Sequence, residues 1–255
     1  MPEGDTIHRA ARSLDQALGG RTLVRFQAPR LRFRPFPEGT VVEGAEANGK
    51  HCLIRFDDGR VLRTHMQMTG SWHLYRPGER WRKKPASMRA LVETETWVAV
   101  CFAAPVVELV EAGDLVGTEH LGPDLCLPAP DLDEGVRRMD GDDRPVGEVL
   151  LDQRVVAGIG NIHKNEACYE VRVDPNARLS LVTHDERRRL LEVAHRNLRA
   201  SLDAVARPFD GGRGPAVYGR RDEPCRRCGT RIEWTAQGDR RRGTYWCPTC
   251  QPPRS

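Results

Sequence analysis

The sequence predicts an α+β multidomain chain: an N-terminal β-sandwich with a leading helix, a helical middle, and a C-terminal β-hairpin stapled by four cysteines. Three observations predict it. Apolar residues at helical spacing open the chain. Short runs rich in Val, Leu, Phe and Trp, separated by turns, follow to about Glu111. Helical patterning then returns after Leu121-Gly122-Pro123-Asp124 and gives way to two Cys-x2-Cys pairs. The 255 residues, 39% of them hydrophobic, are enough to bury one or two cores.

Residues 6–18 form the first element. Ile7, Ala10, Ala11, Leu14, Ala17 and Leu18 fall on one helical face, Asp5 or Thr6 caps the start, and Gly19-Gly20 ends it. Because this helix begins almost at the first residue, Met1 to Gly4 is held close to a rigid element. Strands are expected over 21–27, 40–47, 52–57, 61–66, 89–93 and 97–103, with Asp58-Gly59 as a hairpin turn. Helices are expected over 131–139, 145–153, 161–170 and 185–205, the last opened by a Thr183/Glu186 capping box. Residues 206–222 read as a flexible Arg/Gly/Pro linker. The domains are thus expected at 1–125, 130–210 and 220–255.

Composition narrows the function classes. No run approaches eighteen apolar residues, and Asp5, His8 and Arg9 interrupt the N-terminus, so neither a membrane span nor a secretory signal is expected. A cytoplasmic, nucleoid-associated protein is the expectation, and a monomer, since no heptad is visible. Net charge is +4, yet residues 207–255 hold eleven arginines against five acidic residues, a distribution suited to a polyanion or to a solvated face. The chain has four lysines, Lys50, Lys83, Lys84 and Lys164, against thirty-six arginines. Lysine, unlike arginine, can be tuned to lose its proton near neutral pH, which singles out Lys50.

Of eight cysteines, Cys52, Cys101, Cys126 and Cys168 sit among apolar residues and read as core. The other four are patterned. Cys225-x2-Cys228 and Cys247-x2-Cys250, eighteen residues apart, form two knuckles with room for a hairpin between them. Four thiolates close a tetrahedral Zn²⁺ site with no open position, so one structural zinc ion is expected and the hairpin is a zinc ribbon. Arg240-Arg241-Arg242 falls near the hairpin tip, where guanidinium groups suit phosphate, or merely keep the tip soluble.

Two further features carry chemistry. Ala157-Gly158-Ile159-Gly160-Asn161 is a glycine-rich turn before a helix, whose first N–H groups suit a phosphate; such turns are often only turns. At the N-terminus, removal of Met1 would leave Pro2 with a secondary amine that is partly unprotonated at neutral pH. Such an amine attacks a sugar aldehyde carbon to give an iminium, an electron sink that permits elimination of a phosphate, with Glu3 beside it as acid or base.

Several blocks together resemble the formamidopyrimidine-DNA glycosylase/endonuclease VIII family. They are Met1 to Thr6, Asn48-Gly49-Lys50-His51, residues 64–70 (Thr-His-Met-Gln-Met-Thr-Gly), residues 151–161 and residues 242–251. The resemblance implies a β-sandwich, a helix–two-turn–helix domain and a zinc finger, with double-stranded DNA held between the halves. It implies Pro2 as the nucleophile, Glu3 as proton relay and Lys50 as the acid assisting β-elimination. Asn161 and Gly160 at the turn, and Arg242, would bind the phosphates flanking a flipped nucleotide, Arg242 also aiding δ-elimination. Flipping is required because the sugar C1′ is out of reach in a stacked duplex. Gln67, Met68 and Thr69 fall where the family fills the gap left by the flipped base, a wedge role for Met68 that competes with plain strand packing. His120 is carried over as a further DNA contact. Many members have Glu where Thr6 stands; the Gly4-Asp5-Thr6 start is closer to endonuclease VIII of high-GC bacteria. The expected activity is excision of oxidised bases, pyrimidines favoured, with strand cleavage at the resulting or pre-existing abasic site. Alternatives are a glycosylase for oxidised purines, an inactive damaged-DNA-binding relative, and a zinc-ribbon protein of transcription or RNA metabolism.

Overall fold

The computed structural model describes residues 2–111, 113, 120–203 and 213–254. The chain divides into two compact units, one of Pro2 with Thr6–Glu119, the other of Glu3–Asp5 with His120–Ser255. Among the described residues no helix is long and apolar enough to cross a membrane.

In the first unit, helix α1 (Gly4–Leu18) is followed by nine strands: β1 (Arg21–Thr22), β2 (Arg25–Gln27), β3 (Val41–Asn48), β4 (His51–Phe56), β5 (Arg60–His65), β6 (Ser71–Tyr75), β7 (Met88–Glu93), β8 (Val98–Phe102) and β9 (Val106–Glu111). They form a five-stranded sheet ordered β1-β3-β4-β5-β9 and a four-stranded sheet ordered β2-β7-β8-β6, with antiparallel pairing throughout. Val42, Ile54, Phe56 and Leu62 of the first sheet pack on Ala90, Val92, Ala99 and Cys101 of the second, with Ile7, Ala11, Leu14 and Leu18 of α1 in the same core. This is the expected sandwich, with its inner faces closed by apolar side chains. Asp58-Gly59 makes the β4–β5 turn, with Gly59 at φ 86°. Strands β6 and β9 were not among those expected. In β6, Ser-Trp-His-Leu-Tyr mixes polar and apolar residues, and most of it is only half-buried.

The second unit holds α2 (Leu132–Arg137), α3 (Val146–Val149), α4 (Asn161–Val171) and α5 (His184–Asp203), with the hairpin β10 (Glu233–Gln237) and β11 (Arg242–Trp246). Its apolar core joins Val136, Met139, Val146, Val149, Ile159, Cys168, Leu190, Leu191, Ala194 and Leu198. The capping box forms as expected: Glu186 N–H donates to Thr183 Oγ1 at 3.3 Å and Thr183 N–H to Glu186 Oε2 at 3.0 Å. Helix α3 is shorter than the 145–153 expected. After Leu150 the Gln153 amide donates to the carbonyls of Leu151 and Ile159 and accepts from Gly158 N–H, turning the chain back toward α4.

The flexible linker expected over 206–222 needs correction where it can be seen. Residues 204–212 lie outside the described ones. Beyond them, Ala216, Val217 and Tyr218 donate their N–H groups to the buried Glu166 carboxylate on α4, at 2.6, 3.0 and 2.9 Å, so this stretch is fixed. A carboxylate taking three backbone donors pins a chain irrespective of the chain's own side chains, which is why an Arg/Gly/Pro composition misled. The four isolated cysteines are all buried, and burial pushes the thiols of Cys52, Cys101 and Cys168 up to about 12, far from reactive.

Candidate active site and metal centre

Five buried polar side chains of the second unit lie on α4. This helix has no apolar stripe, yet nine of its eleven residues are buried, among them Asn161, His163, Lys164, Asn165 and Glu166. Ala167, Cys168 and Val171 enter the apolar core, but buried polar groups survive only with partners, and most of those come from three distant segments.

The first is the N-terminus. Glu3 is buried, and its carboxylate lies on the N-terminal turn of α4, accepting from Ile162 N–H at 2.8 Å and His163 N–H at 3.4 Å. The His163 ring nitrogen Nδ1 also bonds Glu3 Oε2. Gly160, the residue capping α4, has no side-chain cap of its own; Glu3 supplies one from across the sequence. The approach is so close that a Cβ at Gly160 would fall 2.1 Å from Glu3 Cγ. Gly4 is equally constrained: its N–H donates to Gly158 O at 2.9 Å, and a Cβ there would meet Cys126 Sγ at 2.6 Å. The helix start that reads as a phosphate site from the sequence therefore has a protein carboxylate on two of its N–H groups.

The second segment is the hairpin. Asn161 Nδ2 donates to Gly243 O at 2.8 Å, which brings Asn161 beside Arg242. Asn165 receives Tyr245 N–H at 2.7 Å, and Lys164 Nζ donates to Thr244 Oγ1 at 2.7 Å. Thr244 Oγ1 in turn donates to Gln237 Oε1 at 3.0 Å, and Gln237 Nε2 to Pro175 O at 2.9 Å. Burial holds the Lys164 ammonium down at about 8.

The third is the segment leading into the cysteine cluster, which gives Glu166 the N–H groups of residues 216–218 and brings Cys225 Sγ to 3.3 Å from Tyr169 Oη. The four sulfurs of Cys225, Cys228, Cys247 and Cys250 lie within 4.8 Å of one another, with Cys228–Cys247, Cys228–Cys250 and Cys225–Cys250 at 3.4, 3.5 and 3.9 Å. The Thr230 hydroxyl and backbone hold the Cys228 thiol down at about 6, whereas burial pushes Cys247 up to about 12. A cation between them is what allows all four to be thiolates together, so the donor set fits a structural metal ion. Gln251, fully buried, fixes the second knuckle by accepting Cys247 N–H and donating to Val173 O. Gln237, Gln251 and His163 do not stand out in the sequence as functional, and Lys164 is marked there only as one of four rare lysines.

The remaining expected residues fall as follows. Exposed His120 is in the second unit, its carbonyl receiving Arg138 at 3.4 Å. Pro2 and Lys50 belong to the first unit, and Lys50 is half-buried in the two-residue turn joining Asn48 and His51. Gln67, Met68 and Thr69 form an exposed turn between β5 and β6. Gln67 is held at φ 45° with its N–H on His65 Nδ1, and Thr69 donates to Ala103 O. Met68 is 63% exposed whereas Met66 is buried, so packing does not account for Met68.

Comparison with known proteins accords with this arrangement. Residues 1–105 match the formamidopyrimidine-DNA glycosylase N-terminal domain, and residues 121–208 the formamidopyrimidine-DNA glycosylase H2TH domain. A relative from Streptomyces coelicolor named probable endonuclease 8 2 is 41% identical, covering 98% of this chain and 94% of its own. A protein of Mycolicibacterium smegmatis named DNA-(apurinic or apyrimidinic site) lyase Nei2 is 35% identical over 98% and 99%. Among solved structures, the MutM (Fpg) protein of Thermus thermophilus superposes with TM-score 0.81 at 28% identity, over 99% of both chains. A MutM bound to DNA containing carbocyclic 8-oxo-G gives 0.83 at 21%, over 98% and 100%, a likeness of fold. The chain belongs to the formamidopyrimidine-DNA glycosylase/endonuclease VIII family.

Proposed function

We propose that this chain is a base-excision-repair DNA glycosylase with abasic-site lyase activity, acting on oxidised bases in double-stranded DNA. The observation that carries the reading is the built-in N-terminus. Glu3 is buried as the cap of α4, so the adjacent Pro2 is presented by a fixed segment rather than a loose end. Once Met1 is removed, the Pro2 nitrogen carries a lone pair near neutral pH, since an α-amino group titrates at about 8.

Its attack on C1′ forms the N–C1′ bond as the bond to the base breaks, the base leaving with the electron pair and a proton. Breaking of the C1′–O4′ bond, with O4′ taking a proton, opens the sugar to the iminium. Removal of the C2′ proton then sends electrons into it as the C3′–O bond to phosphate breaks. A second elimination breaks C5′–O, and water hydrolyses the C1′–N link to free the sugar. Glu3 relays the proton, Lys50 supplies the acid for β-elimination, and Asn161 and Arg242 hold the flanking phosphates, Arg242 also aiding the second elimination. Gly160 admits Glu3 to the helix turn next to those phosphates. Met68 and Gln67 fill the gap in the stack, and His120 is a further DNA contact.

The family likeness to proteins named endonuclease 8 supports an oxidised-pyrimidine preference. Zn²⁺ is the proposed ion, because Zn–S bonds of about 2.3 Å set sulfur–sulfur edges of about 3.8 Å in a tetrahedron. When bound it supplies rigidity to the hairpin and no chemistry. The working modules are taken as a catalytic sandwich at 1–125, a helix–two-turn–helix module at 130–210 and a zinc finger at 220–255, acting as a monomer on the nucleoid in the cytoplasm.

Borohydride trapping on duplexes holding an abasic site, thymine glycol, 8-oxoguanine or no lesion tests the reading. Adducts on the abasic and thymine-glycol duplexes are expected. Adducts on the abasic and 8-oxoguanine duplexes instead would keep the mechanism and move the substrate to oxidised purines. No adduct on any duplex, from protein lacking Met1, overturns the enzyme reading in favour of a damaged-DNA-binding protein.

A further inference from the structure

We propose that His163 is the positioning residue for Glu3, holding its carboxylate both aimed and ionised; this rests on the glycosylase/lyase reading above. His163 is fully buried in the first turn of α4, and Nδ1 of its ring bonds Glu3 Oε2 while Ile162 N–H bonds Oε1. Backbone donors alone would leave the second carboxylate oxygen with a long contact, His163 N–H at 3.4 Å. The imidazole supplies the short one.

An ionised carboxylate only accepts, so Nδ1 carries the hydrogen. That donor stabilises the charged form of Glu3 and thereby sets the pH at which Glu3 is ready to take up a proton. The geometry leaves little room for substitutes. Gly160 is already reduced to a hydrogen to admit Glu3, and the ring is packed without exposure. Other charged groups in this interior are Asp5 on the N-terminal segment, Asp124 opposite Gly158, Glu148 on α3, Lys164 on α4 and Arg242 on the hairpin. His163 bonds Oε2 directly through Nδ1. It acts through Glu3 and not on the sugar itself.

The test compares wild type, His163→Leu and His163→Asn in single-turnover cleavage of a preformed abasic duplex from pH 5 to 9. Thermal unfolding of each variant is followed in parallel. Leucine removes the donor. Asparagine restores one, because its amide nitrogen occupies the place of Nδ1. The expected result is an acid limb moved up by about one pH unit in His163→Leu and returned toward wild type in His163→Asn. A His163→Leu limb superimposing on wild type, or a His163→Asn limb displaced as far as that of His163→Leu, overturns the proposal.

Long-range ¹H–¹⁵N spectra of the His163 ring provide a readout independent of turnover. The Nδ1–H form is expected, and an Nε2–H form overturns the proposal even if the variants lose activity through misfolding. A wild-type protein inactive on every duplex would instead overturn the parent reading, an outcome visible before any variant is made.

Discussion

Two hairpins present the cationic groups assigned to DNA chemistry, and they are held rigid by opposite means. The β3–β4 hairpin carries Lys50 in its turn and belongs to a five-stranded sheet whose inward side chains, Val42, Ile54 and Phe56, are buried in an apolar core. The β10–β11 hairpin carries Arg242 at the start of its second strand and, among the described residues, has no third strand. Its apolar support is small: Cys225, Ile232 and Cys247 packed with Tyr169, Ala216 and Val217. What holds it is the four-cysteine site and a chain of buried polar bonds from Asn161, Lys164 and Asn165 on α4. An isolated two-stranded hairpin is marginal in water, so the second needs a metal and partners where the first needs only burial.

The two should therefore fail differently. The largest effect expected is from metal removal. With a structural zinc ion contributing on the order of 10–16 kcal/mol to such a site, chelation should melt the Arg242 hairpin and abolish tight DNA binding. The strand content of the sandwich should remain, as circular dichroism and binding titrations would report. Loss of both together would mean that the two hairpins share one support.

Next comes the reverse experiment. Ile54→Ala empties a fully buried position in β4 and should cost about 2–5 kcal/mol in unfolding free energy, while the metal content of the folded protein stays at one ion per chain. A drop in metal content would contradict the division.

Lys164 gives a pH signature of the polar support. Its folded pKa, about 8, lies below its unfolded value of 10.5, so the fold bears a penalty while both states are protonated. That penalty shrinks as pH rises through 8 and is gone by 10.5. Stability should thus gain on the order of 3 kcal/mol across this window in wild type relative to Lys164→Met. Identical pH–stability curves for the two proteins would remove Lys164 from the account.

The smallest effect is local. Arg242→Ala should lower the slope of log affinity against log salt by about one, the loss of one phosphate contact, without changing metal content. An unchanged slope would show that the arginine does not reach a phosphate.

The contrast also explains what could be read in advance. The sandwich strands of the core, the Asp58-Gly59 turn, the Thr183/Glu186 cap and the cysteine knuckles announce themselves, because alternation, turn chemistry and ligand spacing are local signals. The polar interior around α4 does not. Asn161-Ile162-His163-Lys164-Asn165-Glu166 looks like an exposed helix face, and most of its partners lie far away in sequence: Glu3, Gly243, Thr244, Tyr245 and the N–H groups of residues 216–218. One signal was available. A helix between two buried elements with no apolar stripe has to be satisfied by polar partners, and its residues then become candidates for a site. Gly160 was visible as a turn glycine, but its reason, the approach of Glu3, is tertiary.

The central claim is that the N-terminal amine of Pro2 makes the covalent bond to the sugar. The most direct measurement is to trap the wild-type protein on an abasic duplex with borohydride, digest the adduct and locate the modified peptide by mass spectrometry. The account predicts the reduced sugar on the N-terminal peptide beginning at Pro2, and no such peptide from Pro2→Gly reacted for the same short time. An adduct on a peptide carrying Lys50 or Lys164, with the N-terminal peptide unmodified, would contradict it.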